Sequence, residues 1–131
     1  SYDKVLRSID IMPTILDSFN IEQDKDFMEL DGQSLVPITK GETFGRVAFA
    51  EVAPLSGASD NPSPDEPNIH AVKSDKWKLI FNRAFDKYEF YNLENDPGEN
   101  QDLHGSGLEE EKEMNKLLNS YLEYRAIKKD L

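Results

Sequence analysis

Residues 69–82 read IHAVKSDKWKLIFN, and this stretch decides the fold of the chain. Apolar side chains occupy every second position of its second half: Trp77, Leu79 and Phe81. This alternation is typical of a strand with one buried face. Ser74–Asp75 interrupts the pattern with residues that favour a tight turn. The stretch therefore predicts two antiparallel strands, over residues 69–73 and 76–82, joined by a short hairpin.

Two more strands and a long helix flank this hairpin. Alternating apolar residues predict strands over residues 47–52 and 88–93. A helix is predicted over residues 108–128, and its inner stripe consists of Met114, Leu117, Leu118, Tyr121, Leu122 and Arg125. These elements predict an α+β fold in which a four-stranded antiparallel sheet packs against a long C-terminal helix.

Composition and charge bound the classes of function. The chain has 131 residues, which is enough for one domain with its own core. It carries a net charge of −11, and a broad acidic surface repels DNA, RNA and anionic membranes. No apolar run approaches the roughly 18 residues that cross a bilayer. We therefore expect no nucleic acid and no membrane as partner. The absence of cysteine excludes disulfides and a thiol nucleophile within these residues and is compatible with any compartment.

Four stretches resemble segments of the sulfatases of the alkaline phosphatase superfamily. They read RSIDIMPTILD (residues 7–17), LDGQSLVP (residues 30–37), AVKSDKWKLI (residues 71–80) and EFYNLENDPGE (residues 89–99). The corresponding family patterns are x-D-I/L-x-P-T-L/I-L, DGxSLxPLL, AVRTDKWKLI and ELYDLENDPGE. Each stretch alone is a common pattern of turns and core positions. The four together, in the family's order and spacing, cover residues 5–128 and make the resemblance specific.

The resemblance implies a place in a larger architecture. Such sulfatases have a large α/β domain that holds the active site, followed by a smaller C-terminal subdomain with a four-stranded antiparallel sheet and a terminal helix. Residues 1–45 would be the tail of the large α/β domain and a connector, and residues 46–131 would be the C-terminal subdomain. We therefore expect a C-terminal fragment of a sulfatase-type hydrolase, with a short first helix left over from the larger domain. Its expected partner is the missing N-terminal catalytic domain.

The resemblance also implies a chemistry whose central residues are absent from this sequence. The family's nucleophile is a formylglycine made from the Cys or Ser of a C/S-x-P-x-R motif, and a calcium ion stabilises the sulfate oxygens. Neither form of the motif occurs here, since Ser63–Pro64–Asp65 has the wrong spacing and no arginine. The acidic stretch that ends at Met28 breaks the calcium-loop pattern at its third ligand. We expect no cofactor and no activity in the fragment, and calcium and formylglycine in the full-length parent.

Two residues are candidates for the rim of the substrate pocket. His70 and Lys73 lie on a strand that directly follows residues 54–67, a proline-rich stretch that predicts an exposed loop. In related enzymes the C-terminal subdomain lends some residues to the rim, and the loop is another candidate for this role. Either side chain could help to bind an anionic substrate in the parent. A surface or structural role is the ordinary alternative for both.

Residues near the N-terminus have a structural interpretation. Asp10 precedes a short predicted helix, so we interpret it as the N-cap rather than as a catalytic carboxylate. One face of that helix carries three apolar side chains, Ile11, Ile15 and Phe19. We expect this face to be exposed in the fragment because its partner domain is missing, which predicts self-association. Trp77 could stack on a sugar, but its alternation with the neighbouring apolar residues predicts a place in the core.

Two alternatives remain open at the level of sequence. Phosphate and phosphonate monoester hydrolases share this ending, so the chain could be the C-terminal part of one of them. A non-catalytic protein-interaction module is the second alternative, and it requires an exposed apolar patch with a function of its own. A C/S-x-P-x-R motif encoded upstream of Ser1, followed by acidic calcium ligands, would favour the sulfatase.

Overall fold

The computed structural model describes residues 4–22, 30–43, 45–52 and 68–129. By their internal contacts the residues divide into two compact units, Ser1–Arg46 and Val47–Leu131. The loop predicted over residues 54–67 and the acidic stretch over residues 24–28 lie outside the described residues. No helix in the described part of the chain is long and apolar enough to cross a bilayer.

The Val47–Leu131 unit contains a four-stranded antiparallel sheet. Its strands are β1 (Ala48–Val52), β2 (Ile69–Lys73), β3 (Trp77–Asn82) and β4 (Lys87–Asn92). Each strand pairs with its immediate successor, so the order across the sheet is β1-β2-β3-β4. All four predicted strands are confirmed to within one residue at each end. Val72, Leu79 and Phe90 lie opposite one another on adjacent strands and form one apolar row across the sheet.

Helix α3 (Glu109–Lys129) covers the apolar row. Met114 and Leu118 of α3 are buried against it, and Trp77 packs at its border with its ring 5.0 Å from the ring of Phe90. The predicted α+β fold, with a sheet packed against a C-terminal helix, is thus confirmed. Two residues of the predicted inner stripe, Leu117 and Arg125, are exposed. The helix turns position 117 toward solvent, while the neighbouring position 118 points into the core.

The loop before α3 is tied to both the sheet and the helix. The Asp102 carboxylate accepts hydrogen bonds from the backbone N–H groups of Phe90 and His104, each at 2.9 Å. Burial would raise the pKa of Asp102, but these two hydrogen bonds outweigh it and hold the pKa below its ordinary value. Glu111, in the first turn of α3, accepts from Gly105 N–H at 2.9 Å and lies 2.8 Å from the Nδ1 of His104. These bonds fix the angle at which α3 begins.

The Ser1–Arg46 unit contains two short helices. A turn of 3-10 helix, Ser8–Asp10, leads into α1 (Ile11–Ser18), and a one-turn helix α2 (Val36–Thr39) follows later. Pro37 sits in the first turn of α2, where its missing N–H costs nothing. The apolar face of α1 is exposed, as expected: Ile11 by 59%, Ile15 by 46% and Phe19 by 72%.

Candidate functional site

A polar cluster lies between β1, β2 and α3 at the edge of the apolar row. It consists of Glu51, His70, Tyr121 and Arg125, and we call it the Glu51 cluster. Glu51 of β1 lies directly opposite His70 of β2. This pair is two residues along the strands from the pair that Phe49 forms with Val72. Because side chains two residues apart share a face of a strand, Glu51 and His70 point to the side that α3 covers. Tyr121 and Arg125, one turn apart on α3, meet them there.

The Glu51 carboxylate is the centre of this cluster. Its Oε1 lies 3.3 Å from Nδ1 of His70, and its Oε2 lies 3.0 Å from Nη2 of Arg125. Both atoms of the Glu51–His70 contact are buried, and neither makes a hydrogen bond within the part of the chain that the structure describes. The side chains of Glu51 and His70 are 16% and 8% exposed, whereas that of Arg125 is half exposed.

Aromatic rings hold the cluster from two sides. The ring of Phe49 stacks on that of Tyr121 with 4.3 Å between centroids, and the His70 ring lies over Phe81 at 6.5 Å. Burial raises the pKa of Tyr121, and the negative charge of Glu51 adds to the rise. The Tyr121 hydroxyl therefore keeps its proton over the neutral range.

The structure separates the two residues that the sequence proposed for a substrate-pocket rim. His70 lies near the start of β2 on the face that α3 covers, and it is buried. Lys73 is the last residue of β2, is exposed, and lies on the opposite face because it is three positions further along the strand. At roughly 3.3 Å per residue the two lie about 10 Å apart along the strand. One small anion cannot contact both side chains, so each is a separate candidate.

The Glu51 cluster was not predicted from the sequence, although Tyr121 and Arg125 belong to the predicted helix stripe. The available signal was a charge inside an apolar pattern. Glu51 interrupts the alternation of β1, and Arg125 ends a stripe that is otherwise apolar or aromatic. Charged residues at inward-facing positions are seldom buried unless they are paired. Once β1 and α3 are known to face each other, this rule predicts that Glu51 pairs with Arg125.

Asp10 forms a second polar centre, inside the Ser1–Arg46 unit. Its carboxylate is fully buried and accepts from Arg7 Nη2 at 2.9 Å, Arg46 Nη1 at 2.6 Å and the Gln33 N–H at 3.0 Å. Asp10 occupies the N-cap position of α1, as interpreted from the sequence, but its side chain makes no capping hydrogen bond there; it accepts instead from the Arg7 N–H, at 3.1 Å, at the start of the preceding 3-10 turn. Gly32 permits the contact with Gln33, since a Cβ at position 32 would lie 1.9 Å from the carbonyl oxygen of Ile9.

The part of the chain that the structure describes contains no group of three or more His, Cys, Asp or Glu side chains placed to hold a metal ion. The carboxylates of Asp10 and Asp102 are instead engaged by cations or backbone N–H groups. The expectation of calcium and formylglycine concerns the full-length parent and stays a prediction.

Three solved structures that share this fold are described as sulfatases or were solved with a sulfated sugar. One was solved in complex with its substrate, D-glucosamine-2-N,6-O-disulfate; it has a TM-score of 0.63 and 22% identity, over 87% of this chain and 23% of that one. A protein from Bacteroides thetaiotaomicron assigned as a sulfatase has a TM-score of 0.58 and 23% identity. A 2-O GAG sulfatase has a TM-score of 0.57 and 23% identity. Each of the last two covers 92% of this chain, which spans 23% of their own length.

Sequence comparisons give the family. No curated protein sequence matches the chain. The family model described as "N-sulphoglucosamine sulphohydrolase, C-terminal" matches residues 1–128, almost the whole chain. The predicted resemblance to the C-terminal region of a sulfatase is therefore confirmed. This chain belongs to the N-sulphoglucosamine sulphohydrolase C-terminal family.

Proposed function

We propose that the chain completes the fold of a sulfatase, an enzyme that hydrolyses sulfuric esters, and contributes to its substrate-pocket rim without supplying the nucleophile. The observation that carries the proposal is the family match over residues 1–128, together with a sheet-and-helix unit that has its own core. The absence of cysteine and of an S-x-P-x-R motif supports a nucleophile located elsewhere. The family name and one relative's substrate make N- and O-sulfated glucosamine the first substrates to assay.

Activity assays on the purified 131-residue chain test the missing nucleophile. We expect no turnover of an aryl sulfate or of sulfated glucosamine, because no residue can form the formylglycine. The longer chain that contains this region should hydrolyse a sulfate ester and should carry a C/S-x-P-x-R motif. Turnover by the 131-residue chain, freed of host enzymes, would overturn the proposal. Faster hydrolysis of phosphate or phosphonate monoesters by the longer chain would favour the related hydrolases instead.

Lys73 is the stronger candidate for contact with an anionic group. It is exposed, and no carboxylate among the described residues lies within ion-pair distance of it. Its cross-strand neighbour Lys78 is different, because Glu99 lies 2.7 Å from Lys78 Nζ and neutralises it. In a chain with a net charge of −11, a cation without an acidic partner is the kind of local group that a sulfate ester requires.

We expect Lys73→Ala in the active longer enzyme to raise KM about tenfold with little change in kcat. A charged hydrogen bond contributes about 1.5–3 kcal/mol, and 1.4 kcal/mol corresponds to a factor of ten. Steady-state kinetics on a sulfated sugar measures the effect. Lys116→Ala, which removes an exposed lysine from α3, is the matched control and should leave KM unchanged. Equal KM values for the two variants would remove Lys73 from the rim. His70→Gln is assayed separately because it lies on the other face.

The exposed face of α1 supports the catalytic domain of the sulfatase as the partner. Ile11, Ile15 and Phe19 present three large apolar side chains in one row, and other exposed apolar residues of the same unit extend it: Leu6, Ile9, Met12 and Ile21. An apolar surface of this extent favours a protein partner over water. The same surface would serve an interaction module, but the family match assigns the region to a larger hydrolase type.

Without that partner, we expect the 131-residue chain to self-associate. Sedimentation equilibrium should show a weight-average mass that rises with concentration, since association removes the apolar face from water. Replacing Ile15 and Phe19 together by serine should shift the chain toward the monomer. A wild-type monomer at all accessible concentrations, with no binding of a hydrophobic dye, would contradict the proposed role of this face.

A further inference from the structure

Two lysines lie directly opposite each other on the face of the sheet that α3 does not cover. Lys73 of β2 pairs in register with Lys78 of β3, and directly opposite residues of an antiparallel pair project to the same face. Their Cβ atoms are therefore about 4.5–5.5 Å apart, and like charges placed in this way destabilise a sheet. An anion held between the two ammonium groups would remove that repulsion.

The protein itself supplies an oxyanion to one of the two lysines. Both carboxylate oxygens of Glu99 accept from Lys78 Nζ, Oε1 at 2.9 Å and Oε2 at 2.7 Å. The side chains of Lys78 and Glu99 are 25% and 34% exposed, so water reaches both partners. Because an ion pair that water reaches contributes little stability, a dissolved anion can compete with Glu99 for Lys78.

The turn that carries Glu99 holds this residue in place independently of Lys78. Glu99 has a φ of 56°, a left-handed conformation that is uncommon for residues other than glycine. Its backbone N–H donates to the Asp96 carbonyl oxygen at 3.1 Å. The Asp96 carboxylate in turn accepts from the N–H groups of Asn100 at 2.7 Å and Gln101 at 2.8 Å. Glu99 therefore stays beside Lys78 when its carboxylate is displaced, and the ion pair can form again.

We propose that Lys73 and Lys78 together bind one sulfate group of the sugar substrate, and that Glu99 occupies Lys78 when the substrate is absent. The proposal rests on the rim role of Lys73 stated under Proposed function and deepens it by naming a second cation. The three terminal oxygens of a sulfate ester can accept from both ammonium groups at once. Ala48, on the other side of Lys73 in the same row, ends at its Cβ and leaves room beside that lysine.

Titration of the 131-residue chain with sodium sulfate tests the pair. At constant ionic strength, set with sodium chloride, 15N–1H spectra should show saturable shifts of the backbone amides of residues 73 and 78. Lys73→Ala and Lys78→Ala should each weaken sulfate binding about tenfold, because each removes a charge-assisted hydrogen bond. Glu99→Gln should tighten binding, since it removes the competing charge and keeps the shape of the side chain. A sulfated glucosamine should shift the same amides, and the unsulfated sugar should not.

Lys87→Ala is the matched control for this titration. Lys87 is also a strand lysine with a glutamate partner, since Glu89 Oε1 lies 2.6 Å from its Nζ, but the residue opposite it on β3 is Asn82 rather than a cation. Its replacement should leave sulfate binding unchanged. The proposal is wrong if sulfate gives the wild type no saturable shifts, or if Glu99→Gln binds no more tightly. The wild-type titration decides even if a variant fails to fold.

The outcomes separate this inference from the proposed function. Sulfate binding concerns the lysine pair alone, whereas the rim role is measured by the KM of Lys73→Ala in the active longer enzyme. If both lysines bind inorganic sulfate but sulfated glucosamine shifts neither amide, the site takes a free anion and its role in substrate binding is wrong. If Lys73→Ala raises KM while Lys78→Ala changes neither KM nor sulfate binding, the rim role stands and Lys73 acts without a second cation.

Discussion

Leu118→Ala should destabilise the Val47–Leu131 unit by about 2–5 kcal/mol, since Leu118 is 1% exposed and packs with Val72, Leu79 and Phe90. The substitution removes buried apolar surface and leaves a cavity between α3 and the sheet, and a sheet held by hydrogen bonds cannot collapse fully into that space. Trp77 is the only tryptophan of the chain and stacks on Phe90 in the same core. Urea unfolding followed by its fluorescence therefore reports on this unit.

The adjacent residue provides the control. Leu117→Ala makes the same chemical change one position earlier in the same helix, but Leu117 is exposed, so we expect a loss of less than about 0.5 kcal/mol. Alanine is also the best helix former, so neither variant loses helix propensity. Equal midpoints for the two variants would mean that α3 does not present position 118 to the sheet. A larger loss of stability for Leu117→Ala than for Leu118→Ala would mean that position 117 is buried, as the predicted inner stripe had it.

Asp10→Ala should destabilise the Ser1–Arg46 unit by about 3–5 kcal/mol. Asp10 is fully buried, and its removal leaves the Arg46 side chain, which is 6% exposed, without the carboxylate that lies 2.6 Å from it. Breaking a buried ion pair from one side costs this much because the remaining charge stays away from water. The Gln33 N–H loses its acceptor as well. Hydrogen exchange of peptides from residues 7–40 measures the effect, since Trp77 lies in the other unit.

Glu42→Ala is the control for the change in charge. Glu42 is exposed and belongs to the same unit. Its substitution should therefore change the free energy of opening, measured by hydrogen exchange, by less than about 0.5 kcal/mol. Asp10→Asn keeps the shape of the side chain and one acceptor oxygen. Its loss of stability should therefore lie between those of Asp10→Ala and Glu42→Ala. If Asp10→Ala exchanges like Glu42→Ala, the arginine pair does not organise this unit.

The Asp10 carboxylate also makes the stability of the Ser1–Arg46 unit depend on pH in acid. Burial would raise the pKa of Asp10, but hydrogen bonds from Arg7 and Gln33 outweigh it and lower the pKa below its ordinary value of 3.8. A group whose pKa is lower in the folded state stabilises the fold above the unfolded value. That contribution is lost as the pH falls through the folded value. Protection of residues 7–40 should therefore decline in acid below about pH 3.8, and less so in Asp10→Asn.

Local patterns were sufficient for the sheet and for the terminal helix. Residues 69–73 were predicted as a strand with the bounds that the structure shows, because alternation, turn residues and short spacing all agree there. The predicted inner stripe included Leu117 because it lies three residues after Met114. A helix packed on a broad surface would bury both positions. The sheet contacts a narrower sector of α3.

The polar centres could not be predicted for a different reason. The Asp10 carboxylate meets Gln33 and Arg46, which are 23 and 36 residues away in the sequence, and no local pattern encodes such a meeting. Asp10 does occupy the predicted N-cap position of α1, but its oxygens accept hydrogen bonds from these distant groups rather than from that helix. The Glu51 cluster likewise requires β1, β2 and α3 to be in place before its members become neighbours.

The sequential pairing of the strands has a consequence for synthesis of the protein. On the ribosome each strand can join the sheet as soon as it emerges, because its partner is always the strand made just before it. The helix that covers the apolar row comes last. Until it arrives, Val72, Leu79 and Phe90 face water on a growing sheet, which is the condition under which nascent chains aggregate or recruit chaperones. A chain that ends before Met114 should therefore yield insoluble product.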